Sequence, residues 1–136
     1  MTIANNEQQV QWSSSNSVSV TAGSNQTSDQ ITLSTAAYDA MITLKADNAG
    51  TPASGDTVEF YALLSCGDPD GAGAAEFPND DSNGTFLAVL DTNADDPTIK
   101  TVAFPVGAPY AKIYAKSNAS SNAITVSACI NEKTNS

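Results

Sequence analysis

Strict alternation of apolar and polar residues in the last third of the chain, PYAKIYAKSNASSNAITVSACI, limits the possible folds more than any other feature. Ala111, Ile113 and Ala115 fall on one face, and Lys112, Tyr114 and Lys116 on the other, with Tyr110 joining the polar set. That is the period-2 signature of a half-buried strand. After Ser117 to Asn122, rich in Ser and Asn that bond their own backbone, the alternation resumes with Ile124, Val126, Ala128 and Ile130 inward and Thr125, Ser127 and Cys129 outward. The pattern predicts an antiparallel hairpin whose upstream partners must come from the rest of the chain.

Those partners read off by the same parity. Val18 and Val20, Ile31 and Leu33, and Ile42, Leu44 and Ala46 mark three short strands. Thr57 to Cys66 is a fourth, apolar on both faces and therefore central, with Val58, Phe60, Ala62, Leu64 and Cys66 expected inward. Thr85 to Asp91 and Thr98 to Phe104 follow. Gly, Pro, Asn and Ser clusters break the runs every dozen or so residues, and long helix-forming runs are missing, so the fold class is all-β. The expectation is a single-domain antiparallel β-sandwich of about eight strands over residues 17–136. The core should hold Val18, Val20, Ile31, Leu33, Ile42, Leu44, Val58, Phe60, Ala62, Leu64, Val102, Phe104, Ile113, Ile124, Val126 and Ala128. Ahead of it, residues 1–16 carry no period and are rich in Asn and Gln, which reads as a flexible arm. Ile3, Val10 and Trp12 are its sizeable apolar residues, and so its candidate anchors on a partner, while Trp12, the sole Trp, also reads as a plug for the core.

Charge narrows the function. Fifteen carboxylates face five basic residues, all Lys, and there is no His, so the net charge is −10. Without Arg forks or a Lys run the chain has no footprint for nucleic acid. Without His it lacks the commonest general base and zinc ligand. The start of the chain has neither a basic n-region nor an apolar h-region, and no apolar run reaches membrane length, which reads as a chain made and kept soluble in a cytosol. Cys66 and Cys129 fall on opposite parities, which argues against a disulfide between them.

Few groups promise chemistry. The loop GDPDGAGAAEFPNDDSNG offers Asp68, Asp70, Glu76, Asp80 and Asp81 as hard oxygen ligands, but Pro69 and a missing third Asp spoil the spacing of an EF-hand loop. It reads as a solvated loop, and no cofactor is expected. Glu59 is the one carboxylate inside a strand, with no strand-borne carboxylate to pair with, so the chain does not read as an enzyme. Two surfaces read as protein contacts. The ladder Tyr110, Lys112, Tyr114 and Lys116 gathers aromatic area and positive charge on an acidic molecule. In Thr85 to Asp91, Phe86, Ala88 and Leu90 alternate with Leu87 and Val89, leaving one apolar face to be covered by a subunit or by the folded-back acidic loop with Phe77 as its plug.

The run from DTVEFYALLS through the acidic loop to GTFLAVLDTNADDPTIKTVAFPVGAPYAKIYAKSNASSNAITVSA resembles auxiliary capsid proteins of tailed bacteriophages, the decoration or cement proteins. That resemblance implies a jelly-roll sandwich on the outside of an icosahedral head, commonly a homotrimer, which binds the major capsid protein and grips the shell with a terminal arm. A carbohydrate-binding module or head-fibre adhesin on the same sandwich is the alternative, with Tyr110 and Tyr114 as its stacking platform.

Overall fold

The computed structural model describes residues 2–135, and its ten strands fall into two antiparallel sheets. The first holds β1 (Ile3–Gln9), β2 (Val18–Val20), β5 (Ala37–Asn48), β8 (Thr98–Ala103) and β10 (Ile124–Asn135), in the order β1-β10-β5-β8, with β2 continuing the lane of β1 along β10. The second holds β3 (Asn25–Thr27), β4 (Ile31–Thr32), β6 (Thr57–Ser65), β7 (Thr85–Asp91) and β9 (Tyr110–Ser117), ordered β3-β9-β6-β7, with β4 beside β3 along β9. Counting β1 with β2 and β3 with β4 as single lanes gives the alternating order of a jelly roll. No helix among the described residues is long and apolar enough to cross a membrane.

The core lies between the sheets and follows the predicted parity. Every residue expected there is buried except Val18, Leu64 and Val102, which are half-buried against the same cluster. Polar networks close the two ends of the sandwich. At one, the buried Asp56 carboxylate accepts from Asn48 Nδ2 and Ala53 N, while Thr92 Oγ1 donates to the Asp56 carbonyl. At the other, buried Glu132 accepts from Ser34 N at 2.9 Å and from the amides of Asn6 and Gln8. Each carboxylate thus pins a loop to a strand, which satisfies a charge that would otherwise be costly to bury.

Several expectations fail here, each for a physical reason. β9 and β10 do not form a hairpin. Residues 118–123 carry the chain from one sheet to the other, and the apolar faces of β9 and β10 meet across the core instead of side by side. The strands that do pair within one sheet in immediate succession are β6 and β7, through the long acidic loop.

Of residues 1–16, read as an arm, Met1 lies outside the described residues and 2–16 are not free. Ile3–Gln9 runs antiparallel to β10 from Asn135 to Cys129, and Val10 and Trp12 are buried in the core, Trp12 at 2% exposure. Backbone pairing orders this segment, so its side chains need no apolar period. Trp12 to Ser15 closes a tight turn in which Ser13 and Ser14 adopt φ of 49° and 66°. Asp29 accepts both their amide N–H groups, which offsets the cost of that left-handed backbone.

Cys66 is exposed rather than inward. β6 stops at Ser65, whose hydroxyl bonds Gly67 as the chain turns away. Both cysteines are free thiols.

Candidate ligand face on the second sheet

In an antiparallel sheet, residues opposite one another share a face. On the outer face of the second sheet, Glu59 stands between Lys116 of β9 and Val89 of β7, and Tyr61 between Tyr114 and Phe86. Lys112 opposes Leu63, and Tyr110 opposes Ser65. A bulge governs the β7 side: Phe60 pairs with Ala88 and Tyr61 with Phe86, which leaves Leu87 as the extra residue. Leu87 therefore packs against the core with Ala88 and Leu90, while Phe86 and Val89 turn outward. The strict alternation expected for this strand is broken at that point.

The acidic loop between β6 and β7 folds back over part of this face. Phe77 lies under Lys112, with Nζ 4.7 Å from the ring centroid, so the residue expected to plug β7 instead packs on β9. Asp81 pairs with Lys116 at 3.1 Å from a short 3-10 turn, Asp81–Asn83, capped by the Asp80 side chain. Gly84 then brings the backbone so close that a Cβ there would sit 3.1 Å from Leu63 and 3.2 Å from the Tyr61 Cβ. Tyr114 is consequently only 5% exposed. The ladder is thus outward-facing but largely covered, and Tyr110, Lys112 and Lys116 are half-buried. Tyr110 and Tyr114 do not form an open stacking platform.

What stays open is the end of the face nearest Phe86, which is 55% exposed. Its ring meets Tyr61 edge-on at 5.6 Å, and Tyr61 meets Tyr114 edge-on at 6.3 Å. Beside this row the Glu59 carboxylate accepts from Tyr61 Oη and from Asn118 Nδ2, each at 2.7 Å. Asn118 is itself fixed by Thr57, through Nδ2 to Oγ1 at 3.0 Å and N to O at 2.9 Å. The hydrogen bond from Asn118, then that from Tyr61, holds the Glu59 carboxyl below the usual carboxylate range. An acid held ionised makes a good acceptor and a poor proton donor.

The Tyr61 phenol is pushed up to about 12, first by its bond to Glu59 and then by burial. Its raised value means that this bond's contribution to stability is whole below about pH 10, where the free phenol begins to ionise, and is lost as pH rises through about 12. Titration followed by phenolate absorbance should show one tyrosine ionising near the upper value, and Glu59→Gln should move it back towards about 10.

Sequence reasoning noticed Glu59 but not its partners. Asn118 lay in a stretch read as a turn, and the i, i+2 spacing of Glu59 and Tyr61 within one strand was the available signal. Of the other candidate residues, Ile3 is 60% exposed on the edge strand β1, Val10 and Trp12 are core, and Val89 is half-buried on the outer face. In the acidic loop, carboxylate oxygens of Asp68, Asp70 and Glu76 lie within 4.8 Å of one another. The Asp68 carboxylate is already engaged by the amides of Asp70 and Ala72, which hold its pKa down.

No family model and no curated protein matches the chain. Solved structures do resemble it. BuGH86, solved in complex with neoagarooctaose, aligns at 14% identity and a TM-score of 0.54, covering 98% of this chain and 20% of that one. The C-terminal CBM6 of LamC, a marine laminarinase from Zobellia galactanivorans, aligns at 15% identity and 0.47, covering 95% and 90%. A chain of the acidic stable capsid of Helicobacter pylori bacteriophage KHP30 aligns at 17% and 0.42, covering 93% of both. The likeness to BuGH86 is one of fold, over a fifth of that chain.

Proposed function

We propose that this chain is a non-catalytic carbohydrate-binding β-sandwich module. The observation that carries this reading is the exposed Phe86 ring beside a carboxylate and an amide already locked in place. A sugar ring can stack its C–H face on Phe86 while hydroxyls of the glycan donate to the Glu59 carboxylate and to Asn118 Oδ1, since both Asn118 Nδ2 hydrogens are already taken by Thr57 and Glu59. Because Tyr61, Thr57 and Asn118 hold these groups before any ligand arrives, binding has little side-chain entropy to overcome. The ligand is a neutral glycan: with a net charge of −10, and with Lys116 already paired to Asp81, the face repels sulfated or uronate polymers.

A second reading, attachment to a phage head as a decoration protein, draws on a different surface. The outer face of the first sheet presents exposed Met41 and Ile99 among Thr43, Thr101, Lys45, Ser127 and Asn131. Affinity electrophoresis through neutral polysaccharides, run beside co-sedimentation with heads lacking the protein, separates the two. We expect retardation by at least one neutral glycan, weakened about tenfold or more by Phe86→Ala and by Glu59→Gln, since each removes a contact of about 1 to 3 kcal/mol. Co-sedimentation with heads and no retardation by any glycan would favour the capsid reading.

A further inference from the structure

The edge strand β1 carries an unpaired backbone ladder matched to a second copy of itself. Val10 N–H donates to the Ala128 carbonyl at 2.9 Å, and the β1–β10 register is regular from Ile3 to Gln9. In an antiparallel ladder the hydrogen-bonded positions then alternate, so Ala4, Asn6 and Gln8 direct their backbone groups at β10. Ile3, Asn5, Glu7 and Gln9 direct theirs away from the sheet. At Gln11 the outward carbonyl is taken by Asp29 N–H at 2.8 Å, so the open stretch ends there. Along the open stretch β1 has no Pro, no Lys and no bulge, the devices that ordinarily blunt an edge.

We propose that two copies of this chain pair antiparallel through β1 about a two-fold axis at Asn6. This register sets Ile3 opposite Gln9 of the second copy and Asn5 opposite Glu7, so all four outward-facing residues meet and each pair exchanges two backbone hydrogen bonds. Charge selects both the partner and the register. Each copy carries −10, yet the strand IANNEQQ has a single charge, so this edge is where two such molecules approach with little local repulsion. With the axis at Asn6, each Glu7 faces an Asn5 amide; with the axis at Glu7, two carboxylates would face each other. The axis runs normal to the sheet, so the two second sheets lie on the same side. Their Phe86 faces then point one way, towards a common surface.

Light scattering over a concentration series should give twice the 14.0 kDa chain mass, with the dimer favoured by added salt as the repulsion between like-charged copies is screened. Asn5→Pro removes an outward N–H and leaves the bonds to β10 intact, so it should return the mass to 14.0 kDa with the unfolding transition retained. Amide exchange on the unaltered protein reads the same ladder without any substitution. Exchange at Asn5 and Glu7 should slow as concentration rises, while Asn6, already bonded within the chain, should not respond. A monomer at every concentration, a trimer, a dimer that survives Asn5→Pro, or concentration-independent exchange at Asn5 and Glu7 would each overturn the proposal.

Discussion

Phe60→Ala lowers the free energy of unfolding by about 3 to 5 kcal/mol, the range for emptying a fully buried aromatic site. Phe60 is at 0% exposure, on a strand hydrogen-bonded on both sides, with Ala88 opposite on β7 and Ala115 opposite on β9. Those neighbours are small, so they cannot expand into the space that truncation leaves, and the cavity term stays near its full value. Set against a domain stability of about 5 to 15 kcal/mol, the loss brings the unfolding midpoint in denaturant down by a large fraction without altering the slope. A change below about 1 kcal/mol in an equilibrium denaturation curve would show that the ring does not occupy the core.

Removal of residues 1–12 is expected to abolish cooperative unfolding near room temperature, as read by circular dichroism on melting. The segment reads from sequence as a flexible arm whose loss would leave the sandwich folded, but it contributes the whole of β1 and two core side chains. Truncating a buried Trp costs about 3 to 5 kcal/mol and losing a buried Val about 1.5 to 3 kcal/mol, which together approach the stability of the domain before the lost ladder along β10 is counted. Trp12→Phe separates the ring from its polar atom. The indole N–H is buried and meets no acceptor among the described residues, so replacing it by a phenyl ring forfeits volume but no hydrogen bond. Trp12→Phe should therefore retain a cooperative transition, and Trp12→Ala should fall far below it.

Much of the sandwich was legible because burial on one face imprints a period of two, and the parity of Val58, Phe60 and Ala62, or of Ile124, Val126 and Ala128, survives intact in the structure. Parity says which face a residue takes but not which sheet its strand joins. β9 and β10 read as a hairpin for that reason: an arch between sheets and a turn within one sheet leave the same alternation. β1 and β3 were invisible because their order comes from backbone bonds to β10 and β9, and their Asn, Gln and Thr side chains carry no apolar period. The ligand face was legible only in part. Glu59 stood out as a charge inside a strand, but the bulge at Leu87 that turns Phe86 outward is a two-against-one mismatch, and it exists only once β7 has a partner.

The place of β10 in the chain has a consequence for synthesis. β10 forms the spine of the first sheet: β1, β2 and β5 all pair with it directly, and all precede it, with Asn6 opposite Glu132. While residues 124–135 are still inside the ribosome, β1 and β2 have no neighbour in their sheet, and β5 has only β8. The second sheet is complete once β9 emerges, so it alone can assemble early, with its inner apolar face uncovered. Folding of the domain therefore waits on β10, and until β10 joins the first sheet the inner apolar face of the second has no complete partner.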